Sequence, residues 1–415
     1  MPPRALLVRF NLVFLFLAFT AASAQEDHTG HNMEMDSSRG PTVSAGASAI
    51  LLGTVASPGV NDRTLAEGYL TQPIVMAMLM TRGGRFIGDL TLDFEGATLK
   101  RGELNAGVHG EGYIDRRHPH TLVHELIGTG IFGGGVTKLS ITGGKGFVPF
   151  GTDDPMSRPF VKYPVNHHLA QILERGLVMA ALNIGPVTGE ASLFNGDEPT
   201  GPYDLPDWDR FGDSWSSRVT LRQKHLEAQA SYARVESPEH SEGGLNHRKI
   251  STSARYENHR AYGLVEWAQS KEGEGNTTDF TFRSVLGEGS LKQGRFIFAA
   301  RAERTERPEH ERDINPFRTP QPHSDLGIIG ITRWDVLSGS IAAELPSYRK
   351  VRLSTFIEVS TQHPTSRLTP SVFDPAEFYG ASRLWNFSVG AGIGAGMKHE
   401  RMGRYGVAAS NRMTH

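Results

Sequence analysis

The sequence predicts an all-β fold, a closed antiparallel transmembrane β-barrel of about 16 strands (14 to 18 allowed) with inward loops that carry short helices. Three observations lead there. Hydrophobic and polar residues alternate with period two in runs that tend towards eight to ten residues, near the length of a tilted strand crossing a bilayer. Short glycine turns alternate with long inserts, as in an up-and-down barrel with one short-turn rim and one long-loop rim. The polar faces carry charges of both signs, which suits a wet lumen and not a sealed core. A soluble sandwich also alternates, with its apolar face inward. The run lengths and the four tryptophans near strand ends (Trp215, Trp267, Trp334 and Trp385) favour the membrane barrel, because interfacial girdles place tryptophan there.

Taken in order, the chain begins as a secretory signal. Arg4 and Arg9 precede the apolar Leu12–Phe19, and Ala22-Ser23-Ala24 supplies a small-x-small cleavage pattern, so residues 1–24 are expected to be removed. No later stretch is apolar enough for a spanning helix, so any membrane crossing must use a closed barrel. The chain has no cysteine, and no disulfide contributes to its stability. Forty-three basic against forty-five acidic residues give a net charge of −2 and no electrostatic case for nucleic acid. Residues 25–42 read as a flexible N-terminus holding His28, His31, Met33 and Met35, a pairing of imidazole and thioether that suits copper and is equally compatible with an ordinary polar tail.

The barrel is expected over 43–409, followed by a tail at 410–415. Phe86, Leu90, Leu92 and Phe94 oppose Asp89, Thr91, Asp93 and Glu95. Trp215, Val219 and Leu221 oppose Arg218, Thr220 and Arg222; Leu226, Ala228, Ala230 and Tyr232 oppose Glu227, Gln229 and Ser231. The pattern recurs at 248–257, 278–284, 296–303 and 351–360, whereas 325–333 and 386–396 cannot be assigned by alternation. The last strand is expected near 400–409. Met76, Met78 and Met80 share one strand face, read as lipid-facing or packing surface before a thioether ladder for copper. Gly143-Gly144-Lys145-Gly146 lacks P-loop spacing and reads as a glycine turn.

The chemistry-bearing residues concentrate in two patches, Asp115 to Glu125 and Asn166-His167-His168. Pro119 and Gly128 would bound a helix over about 119–127 that sets His120 and His124 one turn apart, a spacing that holds one metal with two imidazoles. If that stretch is extended, His118 and His120 share a face instead. Asp115 and Glu125 are near enough to ligate or to orient a ring. A second helix over 167–175 would present His168 and Gln171 together. Facing each other in the lumen, His120, His124, His167 or His168 with a carboxylate would take copper or zinc. The competing reading is a metal-free network in which Arg116, Arg117, Asp153, Asp154 and Arg158 hold an inward loop and line the lumen. Thr121 and Ser157 lie near histidines, but no nucleophile elbow is present, so hydrolysis ranks last.

The motifs Asp115-Arg-Arg-His-Pro-His120, Asn166-His167-His168 and Leu193-Phe-Asn-Gly-Asp-Glu-Pro199 resemble those of a group of uncharacterised, signal-bearing proteins of Gram-negative bacteria. The resemblance spans about 110–215. It implies an outer-membrane β-barrel of porin-like type, in some cases near copper-handling proteins, and it implies that the two histidine patches belong together. The expected function is a porin-like barrel passing small solutes or ions, and an enzyme is not expected. The alternatives are an outer-membrane copper- or zinc-binding component and an outer-membrane hydrolase. Expected partners are outer-membrane lipid, small solutes or metal ions, and further copies of the chain in a homo-oligomer.

Overall fold

The computed structural model describes residues 40–57, 64–99, 121–153, 155–199, 201–238, 244–310, 328–367, 373–398 and 401–409. They form one closed antiparallel barrel of 16 strands. These are β1 (Thr42–Ser57), β2 (Leu65–Met80), β3 (Phe86–Asp93), β4 (Val123–Gly134), β5 (Thr137–Gly146), β6 (Arg175–Ile184), β7 (Val187–Phe194) and β8 (Ser214–Gln223). The second half comprises β9 (Leu226–Val235), β10 (Asn246–Glu257), β11 (Ala261–Gly273), β12 (Phe280–Gln293), β13 (Phe296–His310), β14 (Ile328–Tyr348), β15 (Val351–Ser366) and β16 (Leu384–Gly396). Each strand pairs with its sequence neighbours, and β1 closes the ring on β16 from Gly46↔Gly396 to Ser57↔Trp385. Closure leaves no unpaired edge, the condition for a sheet to stand in lipid.

One rim carries tight turns, among them Gly135-Val136, Gly185-Pro186, Lys224-His225 and Arg349-Lys350. The start of β1 and the end of β16 lie on that rim. The other rim carries the long connections, including 147–174, 195–213 and 367–383. Alternation works as expected. Arg218, Thr220, Glu266 and Ser284 point inward and are at most 1% exposed, whereas Leu51, Val265 and Leu337 point outward and are about 60% exposed.

Several expectations are corrected. The stretch read as a helix over 119–127 is described from 121, and from Val123 it is the wall strand β4. A β-bulge sets its side chains. Thr91 pairs with Glu125 and Leu92 with Val123, so His124 is the extra residue, and both His124 and Glu125 reach the interior. The helix expected over 167–175 is a single turn, α2 (His167–Ala170), because Gln171 is already extended and β6 begins at Arg175; among the described residues the other two short α-helices are α1 (Glu95–Thr98) and α3 (Pro375–Tyr379). The segment 401–409 is not the last strand: β16 ends at Gly396 and 401–409 folds back into the lumen, buried from Met402 to Ala408. Trp334 faces inward, fully buried, its Nε1 donating to Thr332 Oγ1 at 2.9 Å and its ring under Arg307 at 4.7 Å. Met76 faces inward, in the apolar cluster with Ile74 and Ile127, as the packing alternative for this residue expected.

Candidate functional site

The lumen is organised by two segments that enter from opposite rims. The first, 147–174, descends from the long-loop rim between β5 and β6. Phe147, Val148, Phe150 and Ile172 pack on Ile127, Leu177, Met179 and Phe194, filling the β4–β9 side with apolar contact. The chain then crosses to the opposite wall. Gly151, at φ 66°, packs so closely on Ala170 that a Cβ would lie 1.7 Å from its carbonyl oxygen. Arg158 sits 3.6 Å from Glu266 and 3.8 Å from Glu288. The amides of Val161 and Lys162 donate to Glu358 at 2.6 and 3.1 Å, and that of Val165 donates to Glu303 at 2.9 Å. Asn166 Nδ2 donates to Glu266 at 2.8 Å. Inward carboxylates of β11, β13 and β15 therefore hold the segment by its backbone and side chains, each bond strengthened by the acceptor's charge.

The second segment, 401–409, rises from the short-turn rim and meets the first at Asp153. Arg401 forks onto Asp153 at 2.6 and 3.0 Å and onto Glu227 at 2.9 Å. Arg404 Nε lies 3.2 Å from Asp153, and Arg255 pairs with the same carboxylate. Burial opposes charge on Asp153, but Arg401, Arg255 and Arg404 together hold its carboxyl well below the usual carboxylate range. Tyr405 donates its hydroxyl to Glu125 at 2.7 Å and accepts from the Phe147 amide at 2.9 Å, tying the two segments and the wall at one atom. Arg218 donates to the carbonyls of Gly151 at 3.3 Å and Gly403 at 2.9 Å.

A third cluster surrounds the bulge. His124 Nδ1 lies 2.8 Å from Glu174 Oε1, and Lys145 Nζ donates to Glu174 Oε2 at 2.9 Å. Thr121 hydrogen-bonds both Glu174 and Lys145 through its hydroxyl. Glu125 accepts from Thr91 and Tyr405, one on each oxygen. Thr121 and Lys145 are 2% and 4% exposed.

Of the sequence-predicted site residues, Asp153 and Arg158 are interior charges at the heart of the lumen. His124 stands on β4 beside Phe147, whereas α2, with His167 against Tyr163, packs on β11 and β12; the structure does not bring these two histidines together. Among the described residues no group of three His, Cys, Asp or Glu is arranged to hold a metal ion. His118, His120, Asp115, Arg116, Arg117, Asp154, His28, His31, Met33 and Met35 lie outside the described residues, as does the His168 side chain. Sequence reasoning missed Arg301, Glu303 and Glu358 on the far wall and Arg401, Arg404 and Tyr405 in the C-terminal segment. The first three sit on the polar phase of runs read as strands. The last three carried no periodic signal.

Between the crossing segment and β13–β16 lies a small cavity of about 20 Å³, room for about one water, lined by Lys162, Tyr163, Arg301, Glu303, Glu358 and Gln362 together with the apolar Phe160, Val165, Val336 and Val359. Arg301 donates to Glu288 at 2.8 Å and to the Lys162 carbonyl at 2.9 Å. Its Nη2 and the Gln362 Oε1 are buried polar atoms with no hydrogen-bond partner among the described residues.

This architecture is that of outer-membrane porin-like barrels. The OmpTdeltaL8 loop-deletion mutant of OmpT, an outer membrane protein of Vibrio cholerae, superposes with a TM-score of 0.50 at 10% identity, covering 86% of this chain and all of its own. The anion-selective porin from Comamonas acidovorans gives 0.50 at 9% identity, again over 86% of this chain and 100% of that one. At such identity the likeness is one of fold. No protein-family model and no curated sequence matches the chain.

Proposed function

We propose that the chain is a porin-like channel of the Gram-negative outer membrane and not an enzyme, and that small solutes pass along the β13–β16 side of its lumen. The charged interior of the closed 16-strand wall carries this reading, and on the β13–β16 side, where a small cavity lies beside the crossing segment, it includes Lys162, Arg301, Glu303 and Glu358. Arg301 is matched by Glu288, so Glu303 and Glu358 outweigh Lys162 there, and cations should pass more readily than anions. Conductance of the purified protein in planar bilayers is the direct test. A folded barrel without conductance would refute the reading. A Glu303→Gln change should lower the cation-to-anion permeability ratio while its amide oxygen still accepts from Val165.

A metal-binding role would rest on His118, His120 and His168 and stays secondary to the channel. Calorimetric titration with Cu²⁺ and Zn²⁺, with and without His120→Ala and His168→Ala, decides it: binding unchanged by both substitutions removes these histidines from consideration.

A further inference from the structure

At the long-loop end of each strand from β9 to β16 the outward face carries a cation. These are Arg234, Arg248, Lys271 and Arg283 on the first four strands. On the next four they are Arg304, Arg333, then Arg367 just past β15 and Arg383 just before β16. The alternation fixes their direction. Arg283 stands between buried Phe282 and Ser284, Arg333 between buried Thr332 and Trp334, and Arg383 precedes buried Leu384. Towards mid-barrel the same outward rows carry Ile250, Val285, Leu337 and Trp385, all more than a third exposed, so the cations mark the edge of the apolar band. Successive outward residues are about 7 Å apart on a strand and neighbouring strands about 4.8 Å, so the belt falls at headgroup depth with its charges closely spaced.

Cross-strand register joins them: Arg234↔Arg248, Arg248↔Lys271 and Gln269↔Arg283. Acids offset only part of the charge. Glu236 pairs with Arg234 at 2.7 Å, Asp335 with Arg304 at 2.5 Å, and Glu306 with Arg333 and Arg367 at 3.2 and 2.5 Å. Exposed Asp279 caps its own turn through Glu274 N and Thr277. No described carboxylate pairs with Arg248, Lys271, Arg283 or Arg383, and the Arg333 Nε is buried without a hydrogen-bond partner. The other half of the barrel differs: at the same ends of β3, β6, β7 and β8 the outward residues are Leu92, Val178, Leu193 and Trp215.

We propose that this half-belt seats the phosphorylated glucosamine headgroup of an outer-leaflet glycolipid of the lipid A type. Phosphate monoesters match the fork of a guanidinium, and two phosphates on one headgroup span cations on neighbouring strands. The proposal rests on the outer-membrane placement argued above and on nothing in the lumen. The test is native mass spectrometry of the full-length protein in detergent with bisphosphorylated lipid A, its dephosphorylated form, and phosphatidylglycerol. The wild type should retain lipid A well above the other two. Arg283→Gln, Arg304→Gln and Arg333→Gln together should weaken retention roughly a hundredfold. Glu306→Gln with Asp335→Asn, which releases three arginines from internal acids, should strengthen it. Equal retention of phosphatidylglycerol, or no change in either variant, overturns the proposal. If the triple variant loses its heat-modifiable gel shift, the acid-to-amide variant decides alone. Conductance should be the same in all three proteins, since these side chains face away from the lumen; a wild type that binds lipid A without conducting would sink the channel reading only.

Discussion

Replacing Asp153 with alanine should undock the C-terminal segment from the lumen. The carboxylate is 1% exposed and is shared by Arg401, Arg404 and Arg255, with Arg401 making contacts at 2.6 and 3.0 Å and Arg404 one at 3.2 Å. Removing it leaves the buried Arg404 and the partly buried Arg401 and Arg255 without their shared partner, and of the carboxylates that bound Arg401 and Arg404 chiefly Glu227 remains, so the local charge balance moves strongly positive. Breaking a buried network by deleting one partner costs about 3–5 kcal/mol. Arg404 keeps Gln229 at 2.5 Å and Thr220 at 3.1 Å, which places the loss nearer 3 kcal/mol. At about 1.4 kcal/mol per tenfold change, that is roughly a hundredfold rise in the undocked population. Two assays read it. Trypsin should cut after Arg401 and Arg404 far faster than in the wild type, and single-channel conductance should rise or turn noisy. Wild-type trypsin resistance together with unchanged conductance would show that Asp153 does not hold the segment.

Other outcomes follow from the same contacts. Tyr405→Phe leaves the Phe147 amide without its acceptor and should loosen the tail by about 1–3 kcal/mol, seen as faster trypsin cleavage. Glu266→Ala removes the acceptor of Thr152 and Asn166 at 2.5 and 2.8 Å, and should lower the thermal midpoint and broaden the conductance distribution. Because the folded value of the Asp153 carboxyl is depressed, its contribution is fully present above its ordinary value of 3.8 and fades only as pH falls through the lower folded one. Tail docking should therefore be flat between pH 5 and 8, and trypsin sensitivity that changes across that window would contradict the assignment. Arg349 and Lys350 form a two-residue turn at φ 48° and 70°, a conformation that favours Asn-Gly, so that replacement should stabilise by about 0.5–1 kcal/mol in thermal unfolding.

The strands were readable wherever one face meets lipid and the other meets water. At 215–222 and 226–232 each outward and inward residue lies where alternation places it. Alternation fails where the interior is itself apolar or where a partner strand sets the register. Trp334 looks like a girdle residue until Thr332 and Arg307 are seen to satisfy its ring from inside. The His-Pro-His stretch and Gly128 imitate helix boundaries, yet what places His124 is a bulge defined by β3, and pairing of that kind leaves no local trace. The tail could not be read as an inward segment because Gly403 and Gly406, at φ 83° and 53°, break its extended geometry without alternation to mark a direction. Asp153 and Arg158 were singled out as lumen charges from sequence; their partners, from β10 to β12 and the tail, are distant in the chain and were not.

The crossing of 147–174 from β5 and β6 to the carboxylates of β13 and β15 also has a mechanical side. A hollow cylinder of strands resists stretching but flattens easily, because squeezing it into an ellipse only bends its ladder. A strut pinned at both ends across the diameter opposes that squeeze, much as a spoke keeps a rim round. Lateral pressure from the bilayer would then be shared between wall and strut, and the barrel would keep its cross-section as the surrounding lipid thickens or thins.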